Sequence, residues 1–153
     1  MRTIKFRGKK VTNGVWDYGS LVYLDENGAA IYVQTDNGSA KVMDLVYVDP
    51  DTVCQFTGFH DKNGKEIYEG DVLRSDEYPY SCIGDKERDN YFGLIEWNEN
   101  EAAFYIVTIK NPKSSVKGIS DGISDYISQS ALQDFEVIGN IYDDEWKQFR
   151  EHL

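Results

Sequence analysis

The chain has 153 residues, of which 41% are hydrophobic, and its formal net charge is −11. This composition excludes a disordered chain, suits one domain or two small β units, and disfavours general nucleic-acid binding because the negative charge repels phosphate. The two cysteines, Cys54 and Cys82, form no disulfide framework and favour free thiols in a reducing compartment. No membrane span or signal peptide is expected, so a cytoplasmic protein is the default expectation.

The N-terminal third of the chain predicts a meander of antiparallel strands. Residues 2–7 alternate polar and apolar, which predicts a strand with Ile4 and Phe6 on one face. Three further strand regions are predicted at 15–24, 30–34 and 43–48. Asn-Gly turn signals precede them at Asn13-Gly14, Asn27-Gly28 and Asn37-Gly38. In the second region the candidates for burial are Val15, Leu21, Val22, Tyr23 and Leu24.

A turned segment at residues 49–51 marks the predicted boundary between two units. Pro50 forces the residue before it out of the helical region. We therefore place an N-terminal β unit at 1–50 and a β-barrel unit with a C-terminal helix at 51–153, with one continuous domain as the alternative.

The central stretch, residues 52–73, predicts a hairpin followed by a sharp corner. Asn63-Gly64 suits a two-residue type I′ turn in which both residues adopt positive φ. Gly58 and Gly70 interrupt the two arms as bulges or bends. The corner Glu69-Gly70-Asp71 then starts a new strand at Val72.

The remaining elements complete a mainly β chain. A second hairpin is predicted from strands 91–97 and 102–109, and 125–132 is a short helical turn or a strand. A closing strand at 135–138 bends at Gly139-Asn140, and Asp143 or Asp144 caps a terminal helix. The predicted fold is a small SH3-like or similarly curled antiparallel barrel, preceded by the N-terminal β-meander and ended by a short helix.

The central stretch TVCQFTGFHDKNGKEIYEGDVL resembles the signature of the YopX family, a group of proteins encoded by phages and prophages of bacteria. Further blocks that resemble the family occur in the same order at 1–7, 16–22, 93–97 and 135–142. The motif residues, which we expect to be structural, are Gly58, Asn63, Gly64, Gly70, Asp71, Gly139 and Asn140. Cys54 stands where relatives usually carry a small residue. The resemblance implies a fold and a bacterial host cell, but no activity.

The sequence contains no recognisable catalytic or metal-binding pattern. His60 lies in the hairpin arm, His152 lies near the chain end, and neither pairs with a cysteine at a catalytic or metal spacing. Three acid pairs, Asp49/Asp51, Glu69/Asp71 and Glu99/Glu101, are each explained as turns or a hairpin tip. We therefore expect no catalytic, cofactor or metal site, and no enzyme.

The predicted loop at 75–91 has the composition of a contact surface. Exposed tyrosines beside arginines are typical of protein interfaces. The candidate contact residues are Arg74, Tyr78, Tyr80, Arg88 and Tyr91. The alternative is that these tyrosines fold back onto the barrel.

These observations favour a non-enzymatic module that binds a protein partner or assembles with itself. One alternative is a nucleic-acid-associated regulatory factor, for which the basic residues Lys5, Arg7, Lys9 and Lys10 would be the contacts. The other alternative is an acidic DNA mimic that acts on a host protein, because residues outside the first ten carry a large negative charge.

Overall fold

The computed structural model describes residues 3–25, 28–36, 41–75, 91–109 and 124–152. Over these residues the chain is mainly β, as predicted, with two antiparallel sheets. The strands are β1 (Phe6–Lys9), β2 (Trp16–Asp25), β3 (Gly28–Asp36), β4 (Lys41–Val48), β5 (Cys54–His60), β6 (Glu66–Tyr68), β7 (Asp71–Ser75), β8 (Tyr91–Asn98), β9 (Ala103–Ile109), β10 (Ser124–Tyr126) and β11 (Glu136–Asn140). The sheets are not closed, so the SH3-like barrel is not confirmed.

The chain divides into two compact units, Met1–Gly58 and Phe59–Leu153. In the first unit, β1 to β4 form the predicted meander, in which each strand pairs antiparallel with the next. β5 pairs with the other side of β1. The boundary predicted from the sequence, after residue 50, lies eight residues before this division and falls at a 3-10 turn formed by Pro50–Thr52.

The first unit has a small core on one face of its sheet. Ala29, Ile31 and Val48 are buried there, and Phe6 and Leu21 pack against them. Three apolar residues expected inside, Val15, Tyr23 and Leu24, are exposed instead. Ile4 is also exposed, because β1 begins only at Phe6. The sheet therefore buries fewer large side chains than its sequence offers.

The central hairpin turns differently from the prediction. Among the described residues, positive φ at this turn occurs at Gly64 alone, with φ 79°, and not at Asn63. The Gly64 N–H donates to the Asp61 carbonyl and the Asp61 N–H donates to the Lys65 carbonyl, both at 2.9 Å. These bonds define a three-residue connection with glycine at the left-handed position, not a two-residue type I′ turn.

The sheet of the second unit is covered on both faces. Its strand order is β10-β9-β8-β7-β11. Neighbouring residues of β8 point to opposite sides: Ile95 joins a cluster with Leu132 and Phe135, and Leu94 joins one with Ile141 and Trp146. Alternate residues of a strand point to opposite faces, so both faces of the central strands are buried.

The C-terminal helix is not confirmed. The N–H groups of Asp143, Trp146 and Phe149 each donate to the carbonyl three residues earlier, at 3.0 Å. This bonding is that of turns and of a 3-10 segment at Lys147–His152, not of an α-helix. Another 3-10 segment, Ala131–Asp134, follows β10 in the region predicted as a helical turn or a strand.

None of the helical segments within the described ranges has the length and apolar character that a membrane-spanning helix requires.

We expect Gly93→Ala to destabilise the second unit by overpacking. A Cβ at this position would lie 2.3 Å from Ile106 Cγ1, inside the cluster that includes Ile95. Forcing an extra methyl into a packed core costs about 1–3 kcal/mol of unfolding free energy. Urea denaturation measures the loss. In an Ile106→Ala background the same change should cost less, and equal costs in the two backgrounds would contradict this account.

Candidate functional site

The family-motif region is organised by the carboxylate of Asp61. One oxygen, Oδ1, accepts from the backbone N–H groups of Asn63 at 2.8 Å and Lys65 at 2.9 Å. The other, Oδ2, accepts from Val137 at 3.0 Å. The Lys62 N–H also donates to the Phe135 carbonyl at 2.8 Å. Asp61 therefore shapes the hairpin and attaches it to the segment that enters β11.

The predicted corner at Gly70-Asp71 meets the predicted bend at Gly139-Asn140. Asp71 is opposite Asn140 in the pairing of β7 with β11. The Gly70 N–H donates to the Ile95 carbonyl, and the Gly70 carbonyl accepts from Ile141. The buried Asp71 accepts from the Tyr68 N–H at 2.8 Å. These contacts join four strands, β6, β7, β8 and β11, at one corner.

Asn140 stabilises the bend with its own hydrogen bonds. Its backbone N–H and its side-chain amide both donate to Asp143 Oδ2, at 2.9 and 3.0 Å, and its Oδ1 accepts from the Tyr142 N–H. A Cβ at Gly139 would lie 2.9 Å from Trp146 Nε1. Asn140 binds the segment that follows β11, and Gly139 leaves room there for Trp146.

Asp61 is the motif residue that the sequence reasoning missed. The available signal was an aspartate two residues before Asn-Gly, since an Asp side chain often bonds to the backbone two residues on.

Two motif glycines have positive φ. Gly58, at φ 92°, ends the first unit, and Gly70 has φ 74°. Both therefore hold conformations that glycine adopts most readily.

Asp49, Cys54 and His60 each have a structural partner, and Cys82 lies outside the described residues. Asp49 accepts from the Asp51 N–H and caps the 3-10 turn. The buried Cys54 thiol donates to the Thr52 carbonyl at 3.4 Å. His60 is tied through its backbone to the side chain of Gln129. In the part of the chain that the structure describes, no group of three or more His, Cys, Asp or Glu residues is arranged to hold a metal.

Glu101 at the β8–β9 turn accepts from two tyrosines. The hydroxyls of Tyr105 and Tyr126 both donate to its carboxylate, and the two rings lie 4.5 Å apart between centroids. These two hydrogen bonds lower the pKa of Glu101 below its ordinary value, and the bond from Tyr105 has the larger effect. Burial of the ring and the bond to Glu101 raise the pKa of Tyr105. Glu101 therefore accepts from two tyrosines while its side chain stays exposed at the hairpin tip, as predicted.

The contact surface predicted around the 75–91 loop is only partly described. Tyr78, Tyr80 and Arg88 lie outside the described residues. Tyr91 is 4% exposed, bonds to Thr108 Oγ1 at 3.0 Å and packs edge-on against Phe135. Arg74 pairs with Glu136 across β7 and β11. Tyr91 thus belongs to the core, as the alternative reading of these tyrosines expected, and Arg74 braces two strands.

A contiguous apolar surface lies instead on the first unit. The pairings Ser20↔Tyr32↔Leu45, Val22↔Ala30↔Tyr47 and Gln34↔Met43 place one set of side chains on the face opposite the small core. We call this set the outer patch, and it comprises Tyr18, Val22, Tyr32, Met43, Leu45 and Tyr47. All except the half-buried Val22 are exposed large hydrophobic residues.

Cations and aromatic rings stack on the same face, beside the outer patch. The Arg7 guanidinium lies 4.5 Å from the Trp16 ring centroid, and Lys9 Nζ lies 5.2 Å from the same ring. Lys5 Nζ lies 5.5 Å from the Tyr18 ring. These distances are within the range of cation–π attraction. We call these five residues the cation–aromatic row.

Comparison with known proteins adds a family and a fold. A family model described as "YopX protein" matches residues 5–145. The crystal structure of protein EF1440 from Enterococcus faecalis is similar over 98% of this chain and 99% of that one, with 17% sequence identity and a TM-score of 0.55. At that identity the likeness shows the fold alone. No curated protein matches the chain.

Replacing Asp61 by alanine should strongly destabilise the second unit. The change removes an ionised acceptor from three backbone N–H groups, and we expect a loss of roughly 3 kcal/mol of unfolding free energy. Asp61→Asn keeps one acceptor oxygen and should lose less. Chemical denaturation measures both, with the exposed Asp144→Ala as the control. A cost for Asp61→Ala no larger than that of the control would refute this role.

Removing either tyrosine hydroxyl should raise the pKa of Glu101. Tyr105→Phe should raise it more than Tyr126→Phe, because the Tyr105 bond is the larger cause of the lowering. A lowered folded-state pKa stabilises above the unfolded pKa, and the contribution disappears as the pH falls through the folded pKa. The stability lost in either variant should therefore shrink in acid. A carboxyl-carbon NMR titration of Glu101 that is unchanged in both variants would disprove the assignment.

Proposed function

The chain belongs to the YopX family, and we propose that it is a non-enzymatic protein-interaction or self-assembly module of phage or prophage type, acting in the cytoplasm of a bacterial cell. The observation that carries this proposal is the outer patch. Exposed contiguous apolar surface of this kind is uncommon on soluble monomers and usually marks an interaction site.

The exposed apolar side chains are concentrated in the first unit, and five of them belong to the outer patch. Eleven of the thirteen exposed large hydrophobic residues in the described part of the chain lie between Ile4 and Tyr47. The outer patch consists of tyrosine, methionine, leucine and valine, and aromatic residues and methionine are enriched in protein interfaces. Its own members are all uncharged, and the cation Lys5 lies over the ring of Tyr18, so a partner that covers the patch members on β3 and β4 meets no charged member of the patch.

A specific observation also favours the nucleic-acid alternative. The cation–aromatic row shares a face with the outer patch, and single strands bind to faces that combine cations with stacking rings. However, Trp16 has Arg7 and Lys9 over its ring, Tyr18 has Lys5, and Arg7 is 5% exposed. Rings that already contact cations offer less surface for a base, so a protein partner is the better-supported occupant.

The acidic DNA-mimic alternative depends on the second unit. By sequence that unit has ten basic and twenty acidic residues, whereas the first has six basic and seven acidic. A mimic would present the second unit to its target, and an interaction module would present the outer patch. The two proposals therefore place the contact on different parts of the chain.

Photo-crosslinking tests the choice of surface. A photoreactive phenylalanine analogue at Tyr47 should give a covalent protein adduct in living bacteria, because Tyr47 lies in the outer patch. The same analogue at Tyr126 is the matched control, since both residues are 59% exposed and Tyr126 lies in the second unit. The adduct should survive nuclease and be identified by mass spectrometry.

The other outcomes of this experiment assign the alternatives. An adduct at Tyr47 that nuclease removes would favour the nucleic-acid-associated factor. An adduct at Tyr126 alone would favour a contact through the acidic second unit. No adduct at Tyr47 would contradict the proposed function.

A further inference from the structure

The four strands at the ends of the two sheets differ in length and regularity. The first sheet has the order β4-β3-β2-β1-β5-β6. Its end strand β6 and the end strand β10 of the other sheet have three residues each, and β11 has a register shift between Val137 and Gly139. β4 has eight residues and pairs with β3 without a shift, from Lys41↔Asp36 to Val48↔Ala29. Terminal strands are usually short, bulged or interrupted by proline, because an open edge pairs readily with another strand. β4 has none of these three features.

The outer edge of β4 is contacted near its C-terminal end. There Lys10 forms a bridge with Val48, and the Val11 N–H donates to the Tyr47 carbonyl at 3.2 Å. Across the described ranges, no strand lies beside this edge between Met43 and Val46. This part of β4 therefore offers a backbone template to a further strand.

We propose that the further strand is β4 of a second copy of this chain, paired antiparallel about a twofold axis. The inference rests on the proposed function and names the partner that contacts the β4 edge of the outer patch. A strand that pairs with itself about a twofold axis satisfies the edges of both copies at once. Both strands are already ordered by their own sheets, so the pairing avoids the entropy cost of ordering a flexible peptide.

The charge distribution supports a second copy bound through the first unit. Two identical surfaces bring like charges together, so a strongly charged surface resists self-association. With six basic and seven acidic residues the first unit is nearly neutral, whereas the second carries twice as many acidic as basic residues. Between Val42 and Tyr47 the single charged residue is Asp44. Contact through β4 therefore limits the like charges that meet within this stretch to the two copies of Asp44.

Strand pairing would also extend the outer patch across the twofold axis. Met43, Leu45 and Tyr47 lie on the outer-patch face of β4, and in the paired strands the same three side chains of the second copy lie beside them. Side chains of directly opposed residues in antiparallel strands are close enough to pack. The association therefore combines a backbone ladder with apolar contacts between the two patches.

Sedimentation equilibrium of the purified full chain tests the proposal. The native protein should form a concentration-dependent dimer. Met43→Lys/Leu45→Lys should raise the dimer dissociation constant at least ~100-fold, because four lysines then meet at one interface. Val15→Lys is the matched control and should still dimerise, since Val15 is 54% exposed, close to the 53% of Met43, but lies outside β4. Circular dichroism verifies that each variant is folded.

Amide hydrogen exchange separates strand pairing from any other dimer. Exchange at Met43–Val46 should slow as the protein concentration rises, because the outward N–H groups of this edge become hydrogen-bonded. A dimer without this protection would overturn the proposal, and so would a native protein that stays monomeric at about 100 µM. A monomeric protein that still crosslinks to a different protein at Tyr47 would overturn the second copy while leaving the proposed function in place.

Discussion

The buried carboxylate of Asp61 joins parts of the second unit that are far apart in the chain. It binds Asn63 and Lys65 within its own turn and Val137 at the start of the closing strand. Hydrogen bonds to an ionised acceptor are strong, and they are stronger still where water is largely excluded. Because one group both shapes the hairpin and holds the closing strand, the turn cannot change shape without releasing that strand. The family motif around Asp61 therefore connects the central hairpin to the closing strand of the second unit.

The two units bury their apolar residues in different ways. In the second unit both faces of the central strands are covered, and Leu94 and Ile95 each reach a separate core cluster. In the first unit one face packs a small core around Ile31, while the other carries the outer patch. The acidic residues are concentrated in the second unit, so the exposed apolar surface lies on the nearly neutral one. Apolar exposure combined with low charge is the physical basis for proposing that a partner would bind the first unit.

Several elements could be predicted because their signals are local. Alternating and β-branched runs located the strands, and Asn-Gly signals indicated the order of the meander. The type of the central turn was not predictable from Asn63-Gly64 alone, since the nearby Asp61 side chain stabilises a longer connection. The predicted terminal helix was not confirmed for a similar reason: Asp143 accepts from Asn140 instead of capping a helix, and the chain continues in 3-10 turns around the buried Trp146.

The sequence by itself determined the β class, the family, the positions of most strands and the acidity of the chain. These properties follow from neighbouring residues, from a long motif or from simple counting. Only the tertiary structure decided that Tyr91 is buried while Tyr32 and Tyr47 are exposed, and that β4 ends a sheet. A strand has two faces and two edges, and its own residues do not specify which of them meets another part of the chain. Contacts between residues distant in sequence decide this, and with it which surface stays exposed.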